Sequence, residues 1–147
     1  MTVDVVTETT IDRPPDLVAA FAADPDKVPQ WYANIKSVEW KSERPARAGS
    51  RIAFVAEFLG RRLAYTYELV EYDLPNRLVM RTQEGPFPME TTYTWAPSGE
   101  GGTRMTLRNR GEPTGFSALA APFMAMAMRQ ANRKDLQKLK QILEGGA

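Results

Sequence analysis

The chain has 147 residues, of which 43% are hydrophobic and 25% charged, and its formal net charge is +1. That balance gives no broad electrostatic case for nucleic acid or an anionic membrane as partner, and the length supports one domain over residues 1–147 with a sizeable core. Cysteine and histidine are both missing, which excludes disulfides, thiolate metal sites, cysteine nucleophiles and a Ser-His-Asp triad; any acid–base step falls to Asp, Glu, Tyr, Arg, Lys or a bound water.

The opening stretch, "MTVDVVTETTIDRPP", is acidic and alternating and lacks the basic and apolar regions of a signal peptide. Val3 to Asp12 reads as a strand. Pro14 and Pro15 suit a helix start, with Leu17, Val18 and Phe21 as its apolar stripe. Asp24-Pro25 breaks that helix, and a second short one carries Val28, Trp31, Tyr32 and Ile35. The period then changes to two. Val38 to Ser42, Arg51 to Phe58, Arg61 to Tyr72, Arg77 to Thr82, Met89 to Trp95 and Thr103 to Asn109 read as strands. The turn signals "RPARAGS", "LGRR", "DLPN", "EGPFP" and "PSGEGG" separate them. Short turns between alternating strands predict an antiparallel meander. A long helix over Ser117 to Leu143 ends the chain, and it is the one large element left to cover the apolar face of the sheet.

Strand alternation sorts the side chains. Ile52, Phe54, Ala56 and Phe58 share a face, as do Leu63, Tyr65, Tyr67 and Leu69. Met89, Thr91, Tyr93 and Trp95 form a third set, and Met105, Leu107 and Asn109 a fourth. The charged residues fall on the other side, so basic clusters such as "LRNR" read as solvated strand faces. At about 100° per residue, Met124, Met128, Asn132, Asp135, Leu139, Ile142 and Leu143 fall in one stripe of the long helix. Arg129, Arg133, Gln137, Lys140 and Gln141 lie opposite. Asn132 and Asp135 therefore interrupt an apolar face. Either local groups satisfy them or they face a wet cavity, because an unsatisfied buried polar group costs on the order of 1–3 kcal/mol. Phe116, Leu119 and Phe123 lie off this stripe and form either an exposed apolar patch or a cover for one end of the fold.

The stretch from Gly115 to Met128 contains Ser117 and Pro122, and no segment reaches the roughly 18 apolar residues that span a bilayer. The expected product is a soluble, cytoplasmic protein without integral membrane association. "GGTR" and "EGPFP" read as hairpin turns, since no GK[ST] follows them. The acidic residues show no metal-ligand spacing, so neither a metal nor a cofactor is expected. Trp31, Trp40 and Trp95 read as core anchors.

The stretches "TETTIDRPPDLVAAFAADPDKVPQW", "YELVEYDLPNRLVMRT", "GGTRMTLRNRGEP" and "FMAMAMRQANRKDLQKLKQILEG" carry a resemblance that runs from about Val3 to Leu143. In them the chain resembles the START and polyketide-cyclase-like (SRPBCC) superfamily, whose helix-grip fold also occurs in the birch-pollen allergen. The resemblance implies an α+β fold: a curved antiparallel sheet of about seven strands gripping the C-terminal helix, two short helices after strand 1, and a cavity between sheet and helix. Members bind lipids, sterols, quinones, polyketides, hormones or other apolar molecules, and some are cyclases or dehydratases. Combined with the sorting above, the expected ligand-binding wall is Phe54, Phe58, Tyr65, Tyr67, Met89, Tyr93, Leu107, Asn109, Met128, Asn132 and Asp135. The expected partner is a hydrophobic small molecule. If the chain is an enzyme of the cyclase or dehydratase kind, Asp135 is the candidate acid–base group, with Tyr65, Tyr67 or Tyr93 and Asn109 beside it. A protein-interaction module built on the Phe123 region is the third reading.

Overall fold

A computed structural model describes residues 2–58, 60–85, 88–112 and 120–145, the side chain of Phe58 excepted. Seven strands form one antiparallel sheet: β1 (Val3–Ile11), β2 (Ile35–Trp40), β3 (Arg51–Phe58), β4 (Arg61–Asp73), β5 (Arg77–Glu84), β6 (Met89–Ser98) and β7 (Gly102–Gly111). Their spatial order is β1-β7-β6-β5-β4-β3-β2. Strands β2 to β7 follow one another as a meander, and β1 closes on β7 with Val3 opposite Gly111 and Ile11 opposite Thr103. The helices are α1 (Pro15–Ala22), α2 (Val28–Trp31) and α3 (Ala121–Gly145). The architecture is the α+β helix-grip arrangement.

Local chemistry sets the boundaries. Pro14 is extended and Pro15 opens α1, where a missing backbone donor costs nothing. Asp24 starts the next turn by accepting the Asp26 backbone N–H at 3.0 Å. Gly99 and Gly101, with φ of 59° and 75°, turn the chain between β6 and β7. One expected boundary moves. Ile35, placed in the second helix by its spacing from Val28, Trp31 and Tyr32, instead opens β2 opposite Ala56. The helix ends because Tyr32 leaves helical geometry at φ −88° and ψ 109°. A bulge between Ile35 and Ser37 then disguises the period of two at the strand's start.

The concave face carries the core. Ile11, Val18, Ala19, Trp31, Leu69, Leu78, Tyr93, Trp95, Met105, Leu107, Leu136 and Leu139 form one buried cluster between sheet and helices. A smaller cluster joins Val3 and Val5 to Met124 and Met128, seating the first half of α3 on β1. The far end of α3 is pinned by hydrogen bonds to the chain just after β1: the Asp12 N–H donates to Glu144 at 2.8 Å and Arg13 donates to the Glu144 carbonyl at 2.8 Å. On the convex face cross-strand ion pairs line up. Arg108 meets Asp4, Arg104 meets Glu8, and Arg81 and Arg110 share Glu90. The "LRNR" cluster is thus a solvated strand face, neutralised from the neighbouring strands. Val79 and Thr92, opposite each other across β5 and β6, are also buried on that face.

Two bulges in β4 against β5, between Thr66 and Tyr67 and between Leu69 and Glu71, bend the sheet. Tyr67, Leu69 and Met80, beside these bulges, border a cavity. Phe116 and Leu119 lie outside the described residues, as does the Ser117 expected to open the long helix, and Phe123 is 72% exposed.

Candidate functional site

Under the curved part of the sheet lies a cavity of about 140 Å³. Its floor is the sheet, with Ile52, Phe54 and Ala56 from β3, Leu63, Tyr65, Tyr67 and Leu69 from β4, Leu78 and Met80 from β5, Met89, Thr91 and Tyr93 from β6, and Asn109 from β7. Ala22, Ala23, Pro25, Val28, Tyr32, Asn34 and Ile35 close one side, and Met128, Ala131, Asn132 and Asp135 of α3 form the roof. The strand residues come from one face of their strands by alternation. The roof residues share a helix face because they recur at three- and four-residue spacing.

Most of the surface is apolar or aromatic. Phe54 packs edge-on to Tyr67 with ring centroids 5.8 Å apart, and the Tyr65 ring also lies 5.8 Å from Tyr67. The polar groups gather towards α3. The Tyr32 and Tyr93 hydroxyls are 2.8 Å apart. One donates to the other, so the accepting hydroxyl keeps its proton for a third group. Burial first, and for Tyr32 the neighbouring Tyr93 charge next, pushes both phenols above their ordinary range, so both are neutral donors. Thr91 donates to Asn109 at 2.7 Å and stands beside the Tyr67 hydroxyl, which burial raises to about 12.

Asp135 is 2% exposed and accepts the Ala33 backbone N–H at 3.1 Å. Burial raises its carboxyl from 3.8 to about 6, against the lowering pull of that hydrogen bond. Its charge bears on Tyr32 and Tyr93. Asn132, one turn before it and 4% exposed, has a side-chain nitrogen with no hydrogen-bond partner among the described residues. Among the described residues of the lining, Asp135 is the one carboxylate, and lysine and arginine do not occur.

Nine of the expected wall residues border this cavity: Phe54, Tyr65, Tyr67, Met89, Tyr93, Asn109, Met128, Asn132 and Asp135. The Phe58 side chain lies outside the described structure. Leu107 does not reach the cavity; it is fully buried in the packed core with Tyr93, Leu136 and Leu139. Among the acid–base candidates, Asp135 and Tyr93 share one end. Tyr65 packs with Leu63 away from them, and the groups that bear on it are Tyr67 and Arg61. Reading the sequence missed Tyr32, whose hydroxyl completes the polar cluster, along with Asn34, Leu78 and Met80. Tyr32 carried an apolar-stripe signal, but nothing in its spacing showed that it leaves the helix and turns towards Tyr93. Among the described residues no three Asp or Glu side chains group as a metal site, and no helix is long and apolar enough to cross a membrane.

None of the curated proteins matches the chain. Among solved structures, the Thermus thermophilus protein TTHA0849 is similar at 27% identity, with 98% of this chain and 99% of that one covered and a TM-score of 0.85. A START superfamily protein from Mycobacterium smegmatis aligns at 14% identity, 98% and 99% coverage and a TM-score of 0.83. The ZhuI aromatase/cyclase from Streptomyces sp. R1128 aligns at 14% identity, 100% and 99% coverage and a TM-score of 0.81. At those last two identities the likeness is one of fold. A family model matches directly and spans residues 2–144. By that match the chain, a START-like helix-grip protein, belongs to the family described as polyketide cyclase / dehydrase and lipid transport.

Proposed function

We propose that this protein binds a hydrophobic small molecule in the cavity between its sheet and α3. The observation that carries the reading is the lining itself: aromatic and aliphatic over most of its area, with a few hydrogen-bonding groups converging at one end. Family membership and the absence of histidine and cysteine support the same reading. Trp31 offers an intrinsic reporter, since its ring lies 4.3 Å from Tyr32 and 5.8 Å from Tyr93, both cavity residues. Titration with a panel of apolar compounds should quench or shift tryptophan emission saturably. Native mass spectrometry of gently purified protein should find a ligand released on denaturation. A panel without one saturable binder, together with an unchanged native mass, would overturn the reading.

One observation favours a second reading, a cyclase- or dehydratase-type enzyme. Asp135, at about 6, lies within electrostatic reach of two neutral phenols, a combination suited to proton transfer near neutral pH. Asp135→Asn separates the readings. An enzyme of this kind loses turnover on a cyclisable substrate, whereas a binding protein retains most of its affinity.

A further inference from the structure

Resting on the binding reading above, we propose that the ligand is compact, uncharged and ring-sized, and carries a carbonyl-type oxygen that accepts a hydrogen bond from Asn132 Nδ2. Size comes first. The cavity of about 140 Å³ matches the roughly 150 Å³ of an engineered apolar cavity that takes up benzene. It suits one substituted ring.

Charge comes next. Among its described residues the lining has no lysine or arginine, and its one carboxylate is Asp135. A ligand carboxylate placed at the Asp135 end would be buried beside a group of its own sign, a costly way to place an ion in a protein. An acid group is therefore disfavoured at that end of the cavity.

The hydrogen-bond count supplies the third argument. Thr91 donates to the Asn109 side-chain oxygen, the Tyr32 and Tyr93 hydroxyls bond to each other, and Asp135 accepts from Ala33. The Asn132 side-chain nitrogen, by contrast, is buried on the roof and has no partner among the described residues. A donor in that position calls for an acceptor, and a ligand oxygen supplies one while the ring lies against Phe54 and Tyr67.

Acetophenone and α-methylstyrene test this directly, because they share a shape and differ by an oxygen in place of a methylene. Their affinities for the wild type, measured by tryptophan quenching and calorimetry, are compared with those for Asn132→Leu. Losing one buried acceptor contact shifts an affinity ratio about tenfold, so the ratio should move against acetophenone by that factor in the variant. In the wild type, the Asn132 side-chain amide resonances should shift with acetophenone and stay put with α-methylstyrene, a readout that needs no variant. Benzoate should bind at least tenfold more weakly than acetophenone.

An unchanged ratio with unmoved amide resonances would overturn the acceptor assignment and leave Asn132 to a bound water. Benzoate binding as tightly as acetophenone would overturn the uncharged class. If N-phenylnaphthylamine saturates the protein and neither single-ring probe does, the size class falls while the binding reading stands. If no compound saturates it, the binding reading falls and takes this inference with it.

Discussion

Ionising Asp135 costs the folded chain more than the unfolded one. Its carboxyl moves from 3.8 to about 6 on burial, so the stabilising contribution of the protonated form is fully present below about pH 4. That contribution is lost as pH rises through 6, and the shift corresponds to about 3 kcal/mol. Asp135→Asn keeps an oxygen to accept from Ala33 and removes the charge. Denaturant unfolding should find the variant more stable than the wild type at pH 8, by up to about 3 kcal/mol, with the gap closing by pH 4. A constant gap across that range would assign the effect to packing. The polar interruption of the apolar stripe at Asn132 and Asp135 was legible in the sequence because helical period places them between Met128 and Leu139. Leu107 marks the limit of such reasoning. Alternation puts it on the same face as Asn109, but alternation gives a side and not a depth. Leu107 stands two residues nearer the centre, opposite Thr7 and Tyr93, where the sheet is already closed by the core.

Among the elements, strands read more clearly than short helices. The six meander strands lie close to where period two put them, and β6 runs on to Ser98 because its hairpin with β7 is tight. Gly102 explains how tight. A Cβ on it would stand 2.6 Å from the Ser98 carbonyl oxygen and 3.4 Å from that of Ile11. Both are backbone atoms that cannot rotate away. Gly102→Ala should therefore destabilise the fold by about 1–3 kcal/mol in chemical denaturation. Gly101→Ala, where nothing lies within 4 Å, pays only for its positive φ. Gly102 is not one of the positive-φ glycines, so a Gly102→Ala variant as stable as the wild type would show that the hairpin shifts to accept the added methyl. The bulges of β4 had no sequence signature. The stripe of α3 was legible apart from Leu136, a fully buried neighbour of Asp135 that widens the apolar face beyond the narrow seam.

For the whole molecule, the sequence showed that a helix must cover a sheet. It did not show how much space would remain beneath. That remainder depends on summed side-chain volumes and sheet curvature together, which no single residue encodes. The largest buried cluster ties the sheet to α1, α2 and α3 at once, so we expect a single cooperative transition. Leu139→Ala, at the centre of that core, should cost about 2–5 kcal/mol and lower the midpoints followed by tryptophan emission and by circular dichroism equally. Midpoints that separate would reveal a second unit.

The pairing of β1 with β7 also orders events in time. β1 lies at one end of the strand order, with β7 as its neighbour in the sheet, and Val3 finds its partner at Gly111. During synthesis the first strand therefore leaves the ribosome with neither its hydrogen-bonding partner nor the α3 that buries Val3 and Val5. It must wait until β7 and α3 have been made, and pairings this distant in sequence slow folding. Pulse-labelling hydrogen exchange during refolding should find the β3–β6 hairpins protected first and the β1 amides last. Until then β1 is an unpaired strand with an open edge, the segment through which a nascent or unfolded copy of this chain would most readily aggregate.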